Sequence, residues 1–317
     1  MNRKSKLRIN TKCKSYQLQD SSFYKLTSKK RLASILNLSL QNINSLRCDL
    51  GNYTEFEELG KSGKPRKIQK PCHRLDVAHT RIASLLCRIQ TPTYLHSGKK
   101  SHSNVTNAAS HVNFHQLLAT DVKSFFPSTS RKMVFSFFLT VLKCSPDIAD
   151  ILADICTCHN HIPTGSRISM PLAYWANCRM FEELERVSDK HHVTMTVYVD
   201  DLTFSGEKVN RQFRSLVKKI ISKHGHTMHP KKTKLYQGSQ PKLVTGVIVS
   251  DGVLKVRNEQ HLMYSSELAQ WDSIKNLPLA SETNLVAKLI GRLHSMGVID
   301  TKYKAKVKSI KNATCSD

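Results

Sequence analysis

Apolar positions at 32, 35, 36, 38, 40, 43 and 46 recur at helical spacing between residues 28 and 46, with Asn37 to Ser39 splitting the run into two short helices. Alternating residues with Gly60, Gly63 and Pro65 between them predict a strand pair over 53–71, joined by a tight basic turn. A helix follows over 75–89, with Leu75, Val77, Ile82, Leu85 and Leu86 on its buried face, and then a polar loop over 94–106. The short apolar run 117–122 reads as a buried strand bearing an aspartate near its end. Helices are expected over 131–142, 148–156, 171–187 and 213–224. Two β-rich runs, 194–199 and 202–205, flank Asp200 and Asp201 as a hairpin would. A strand over 243–250 and a mostly helical tail from 258, clearest over 283–296, complete the pattern. The expected class is α+β, built around a small antiparallel sheet with helical material at both ends.

The balance of charge narrows the partners. Lys and Arg number 49 against 24 Asp and Glu, a net +25, in a chain that is 39% hydrophobic and able to form a core. Such a surface calls for a polyanion, nucleic acid being the commonest. No apolar run approaches a membrane span, and the basic residues 1–24, expected as a flexible or loosely docked lead, lack a signal peptide's apolar stretch. The nine cysteines are scattered and odd in number, so no disulfide framework is expected and a cytoplasmic setting is. Cys156, Cys158, His159 and His161 crowd together, but no second Cys/His pair lies at a loop spacing usual for zinc. Thiols packed on a helix that leads into a loop are expected there.

Asp200 and Asp201 alone describe an ordinary surface turn. Asp121 alters their meaning, because an aspartate ending one central strand can converge with two at a neighbouring hairpin. Three carboxylates at one spot repel unless cations are present. They form the hard-oxygen set that a pair of Mg²⁺ ions requires. On a strongly basic chain this points to nucleotidyl transfer on nucleic acid.

These residues resemble a known family. Asp121 with Phe125-Phe126, Pro163-Thr164-Gly165-Ser166, and Tyr198-Val199-Asp200-Asp201 are similar, in order and spacing, to motifs A, B and C of reverse transcriptases. Gly63-Lys64-Pro65-Arg66-Lys67-Ile68 resembles the fingers strand that grips the incoming triphosphate, and Pro230-Lys231-Lys232-Thr233 the lysine element of motif D. Asn107-Ala108-Ala109-Ser110-His111 and Val244-Thr245-Gly246 resemble two short signatures of retron enzymes. Thr164 stands where glutamine is usual, Arg167 and Met170 where prolines are frequent, and Ser124 where many relatives carry a second acid.

The resemblance implies a right-hand polymerase fold with a basic lead at 1–26, fingers at 27–115, a palm at 116–250 including fingers helices over 131–165, and a helical thumb at 251–317. It implies that Asp121, Asp200 and Asp201, with the Val122 carbonyl, bind two Mg²⁺. It implies nucleotide contacts from Lys64, Arg66, Thr164, Gly165 and Lys232, and a Phe126 ring that excludes a 2′-hydroxyl. Asn107, His111, Val244, Thr245 and Gly246 would contact RNA, or Asn107 and His111 would fix the loop leading into the palm. Lys302, Lys304, Lys306, Lys308 and Lys311 are expected to meet phosphates. The implied partners are a structured noncoding RNA serving as template and primer, its cDNA, deoxynucleoside triphosphates and an effector protein encoded nearby, in antiphage defence, with no membrane. Two alternatives remain open: a non-retron defence reverse transcriptase with another template and priming mode, and a nucleic-acid-binding scaffold without turnover.

Overall fold

The computed structural model describes residues 7–48, 50–60, 63, 65–275 and 284–314. Its centre is a four-stranded, wholly antiparallel sheet of β3 (Leu117–Asp121), β4 (Thr194–Tyr198), β5 (Asp201–Ser205) and β6 (Lys234–Tyr236), in the order β4-β5-β3-β6. Ahead of it in the chain lies a separate hairpin of β1 (Tyr53–Leu59) and β2 (Pro65–Pro71). Behind it lies a three-stranded meander of β7 (Lys242–Val244), β8 (Val247–Ser250) and β9 (Val253–Lys255). The molecule is thus α+β. No described helix is long and apolar enough to cross a membrane.

The sheet packs on helices whose apolar faces form one large core. Leu118, Val197, Leu202 and Phe204 meet Leu172, Phe181, Phe213 and Val217 there. The helix Ser169–Ala176 is separated from Cys178–Lys190 at Asn177, where one continuous helix was expected. Asn177 is buried, and its amide donates to Thr129 Oγ1 and Ala173 O while its Oδ1 faces His226 Nε2. The polar network takes precedence over helical continuity at this point. The expected split at 37–39 is present: Lys29–Leu36 ends on Asn37 in the left-handed region, and Leu40–Cys48 follows.

Four further expectations change. Residues 10–26 are docked, with Tyr16 exchanging backbone bonds with Arg88 and Gln90, and Phe23 and Leu26 fully buried. Their basic composition hid two aromatic and apolar anchors. Val77 lies on the outer side of the helix His73–Leu86, 36% exposed. The single strand at 243–250 is two strands folded back at Thr245-Gly246. The polar loop 94–106 ends in a helix, Asn104–Ala109, started by a Ser103–Thr106 capping box.

The C-terminal helices Asn258–Ile274, Asn284–Ile299 and Lys302–Thr314 bury Tyr264, Trp271, Leu289, Leu293, Met296 and Tyr303 in a core of their own. The lysines at 302, 304, 306 and 308 are exposed on the last of these helices.

Candidate active site

Strand register brings the aspartates together. Asp121 ends β3 and lies directly opposite Asp201, the first residue of β5. Tyr198 pairs with Asp201 across β4 and β5, leaving Val199 and Asp200 as a two-residue hairpin loop. Ligand oxygens of all three carboxylates lie within 4.8 Å of one another. The loop is held from both sides: Val199 N–H donates to Ser97 Oγ (3.0 Å), and Asp200 C=O accepts from Val122 N–H (2.9 Å). Val199 has φ +61°, a left-handed conformation uncommon for a β-branched residue. Such strain costs on the order of 1–3 kcal/mol and persists only where neighbours fix it.

Electrostatics set this cluster apart from a surface turn. Burial, then the charge of Asp121, raises the Asp200 pKa, against smaller opposing pulls that include Lys232 and Arg66. Burial, then Asp200 and Asp121, pushes Asp201 up to about 7. Among the described residues, a cation already answers this excess of negative charge. Lys232 Nζ lies 2.6 Å from Asp121 Oδ2, and that hydrogen bond raises the Lys232 pKa. The turn carrying it is tied to β3 by His229 N–H donating to Asp121 O (2.7 Å) and by a Thr120–Thr233 hydroxyl pair (2.7 Å). A close set of mutually repelling carboxylates, acceptor-only and partly desolvated, fits hard divalent cations. Val122 is buried, bridges Met228, and donates its N–H to the Asp200 carbonyl of the hairpin loop (2.9 Å). The cavity beside the cluster, about 400 Å³, is lined by Asp121, Asp201, Lys231, Lys232, Lys234 and Gly246 among others.

The remaining residues fall into three groups. Phe125 is buried in the core, while its neighbour Phe126 is half-buried with ring centroids 6.0 Å apart, so the pair is divided between core and surface. Arg66 is exposed on β2, opposite Glu58, and Lys64 lies outside the described residues. Thr164 is turned onto β2, its hydroxyl donating to Lys67 O (2.7 Å) and its N–H to Gln69 Oε1 (3.3 Å). A Cβ on Gly165 would lie 2.7 Å from Gln69 O and 2.8 Å from Ile68 Cγ2. In this structure the close approach that requires glycine is therefore to the β1–β2 hairpin.

The two short signatures form one hydrogen-bonded unit. Asn107 Nδ2 donates to Thr245 Oγ1 (3.4 Å), Thr245 Oγ1 donates to Asn104 O (2.8 Å), and Asn104 Nδ2 donates to Thr245 O (3.1 Å). Asn107 and Val244 are buried, as is His111, whose ring nitrogens meet Ser205 Oγ (2.6 Å) and Thr196 Oγ1 (2.7 Å). Burial pushes the His111 pKa down to about 3, so the ring is neutral and joins β4 to β5. Asn107 and His111 thus point inward, fastening this segment to the β7–β8 turn and to β4 and β5. The half-buried Thr245 and exposed Gly246 occupy the turn at the cavity.

Ser97 and Gln69, which hold the hairpin loop and the Thr164 turn, carry no local sequence signal. Gln69 is a single polar residue in a basic strand, and its burial follows from the partner that covers it.

No family profile matches the sequence. Curated relatives do. The chain is 28% identical over 221 residues to the retron Se72 reverse transcriptase of Salmonella heidelberg, covering 66% of this chain and 58% of that protein. It is 24% identical over 208 residues to the retron Ec86 reverse transcriptase of Escherichia coli, covering 65% of each. A third relative, the retron Ec48 reverse transcriptase of Escherichia coli, is 23% identical over 90% of this chain and 76% of that one. The chain thus spans under two thirds of the first two relatives. A foamy viral protease–reverse transcriptase bound to double-stranded DNA superposes with TM-score 0.43 at 15% identity, over 77% of this chain and 35% of that one, too low to define a shared fold.

Proposed function

The chain is a homologue of the retron reverse transcriptases, and from that premise we propose that it is an RNA-directed DNA polymerase making RNA-linked single-stranded DNA from a structured noncoding RNA. The observation that carries this reading is the convergence of Asp121, Asp200 and Asp201 at the end of β3 and the β4–β5 hairpin. Two Mg²⁺ ions held by these carboxylates and the Val122 carbonyl would stabilise the attacking and departing oxygens of an in-line displacement.

The protein's own groups do the rest. The Asp200 loop, held between Ser97 and Val122, keeps its carboxylate at a fixed distance from Asp121. Lys232, paired with Asp121, offsets part of the cluster's charge and is within reach to contact or protonate the pyrophosphate leaving group. Arg66, on the exposed edge of the β1–β2 hairpin, meets the incoming triphosphate. Phe126, half-buried beside the core residue Phe125, selects against a 2′-hydroxyl. The hairpin and preceding helices act as fingers, the four-stranded sheet as palm and the separately cored C-terminal helices as thumb. Their exposed lysines hold template and product backbones. A role in antiphage defence beside an effector protein completes the reading.

Primer extension on RNA with Mg²⁺ and deoxynucleotides tests it, and Phe126→Ala should raise ribonucleotide incorporation. Sequencing the nucleic acid that co-purifies with the protein separates a short, unique DNA branched from RNA, as proposed, from long repetitive DNA. The latter would indicate another template and priming mode.

A further inference from the structure

Cys158 and His159 lack a second metal-binding pair in the sequence around them, and the fold supplies one ligand from elsewhere. Cys158 Sγ, His159 Nε2 and a carboxylate oxygen of Glu55, on β1, lie within 4.8 Å of one another. We propose that these three residues bind one zinc ion, which ties the β1–β2 hairpin to the loop preceding Pro163.

The ligand types suit zinc: one thiolate, one imidazole and one carboxylate are a borderline-soft set, unlike the all-oxygen cluster at Asp121. Zinc bonds of roughly 2.0–2.3 Å give tetrahedral edges of roughly 3.3–3.8 Å. Cys158 Sγ stands 4.0 Å from Glu55 Oε1, somewhat beyond such an edge, and His159 Nε2 contacts the same oxygen more closely. Binding one ion would lengthen the His159–Glu55 contact and shorten the Cys158–Glu55 distance. The two carboxylate oxygens are already divided. Oε1 faces His159 and Cys158, while Oε2 pairs with Lys67 Nζ at 2.5 Å. Lys67 would then orient the ligating carboxylate from behind, as outer partners of metal ligands do.

The backbone presents the pair. Cys158 and His161 exchange N–H···O bonds of 2.8 and 3.0 Å across a two-residue turn, with His159 at φ +48° and Asn160 at φ +62°. That turn points the exposed His159 ring at β1, and Cys158 is buried beneath it. The other two members of the sequence cluster face elsewhere. Cys156 is fully buried at the end of the helix Pro146–Cys156, and His161 is engaged with Gln69 and Ile162 O. Three protein ligands leave a fourth position for water. Binding releases the Cys158 proton to solvent, so apparent affinity rises with pH.

The consequence lies in position. The loop continues into Thr164 and Gly165, which already grip Lys67 and Gln69 of β2. A metal at Glu55 would fasten the other strand of the same hairpin and so reduce the freedom of Arg66.

Cobalt(II) titration of the purified 317-residue chain tests the site, since a cobalt–thiolate bond gives a near-ultraviolet charge-transfer band that carboxylate sites cannot. The expected result is one equivalent bound with that band, displaced by one equivalent of zinc. The band should vanish in Cys158→Ser, weaken at least tenfold in affinity in His159→Ala, and persist in Cys156→Ser and Asp200→Asn. His159 is exposed, so its replacement tests the site without threatening the fold. No saturable thiolate band, or one that survives Cys158→Ser, overturns the proposal.

Discussion

Two hairpins border the same cavity and solve one backbone problem differently. In β4–β5 the two-residue loop is Val199-Asp200, and in β7–β8 it is Thr245-Gly246. Each places a β-branched residue in the left-handed region, at φ +61° for Val199 and +44° for Thr245. Thr245 is compensated by its own side chain, which bonds into the Asn104–Ala109 helix, and glycine relaxes the position after it. Val199 has no side-chain bond to offset its backbone. It relies on Ser97 and Val122, and the residue after it is a carboxylate. The Thr245-Gly246 loop is a structural fastening, whereas the Val199-Asp200 loop maintains strain where charge must converge.

The β4–β5 hairpin rests on His111, which joins β4 to β5 through Thr196 and Ser205. His111→Ala orphans two buried hydroxyls and opens a cavity, and should cost about 3–4 kcal/mol in urea unfolding. A loss under about 1 kcal/mol would mean that the hydroxyls find new partners.

Acid should reproduce part of that effect. His111 is pushed down to about 3, and His79 and His226 to about 4, all chiefly by burial. Their folded pKa values lie below an unfolded value of about 6.5, so the unfolded chain binds more protons and stability rises with pH. The contribution is complete above about pH 6.5 and is lost as pH falls toward 4, at about 2 kcal/mol by pH 5 for each ring that stays neutral. Denaturation midpoints at pH 7 and pH 5 check this, and His111→Ala should flatten the difference.

Smaller effects sharpen the contrast between the loops. Thr245→Ala removes the side-chain fastening and should cost about 1–2 kcal/mol. Val199→Gly relieves strain but loosens the loop in the unfolded chain, so stability should shift by less than about 1 kcal/mol. Extension rate should nevertheless fall several-fold, because the Asp200 carboxylate loses its fixed position. Equal destabilisation by the two changes would erase the distinction.

Strong periodicity made much of this fold legible. The split helix at 37–39, the β1–β2 hairpin and the aspartate-bearing strand and hairpin all follow from local pattern. What escaped depends on distant partners. Asn177 breaks a helix because Thr129 and His226 reach it, and residues 10–26 dock because Tyr16 finds Arg88 and Gln90. At the site, the three aspartates could be expected from their flanks. Ser97, Gln69 and Glu55 could not, since each acquires its role from an element far away in the chain. Gly165 was legible only as part of a nucleotide-contacting motif, and the sequence does not say that β2 lies against it.

If Asp121, Asp200 and Asp201 form one metal-dependent site for DNA synthesis on RNA, as proposed, removing one of these charges should stop the chemistry. Asp200→Asn keeps the loop's shape while removing its charge, so Mg²⁺-dependent extension of a primer on an RNA template is the direct measurement. The expected result is robust deoxynucleotide incorporation by the parent chain and a loss of at least about 100-fold in the variant, a barrier increase of roughly 2.7 kcal/mol. Incorporation by Asp200→Asn within a few-fold of the parent would contradict it.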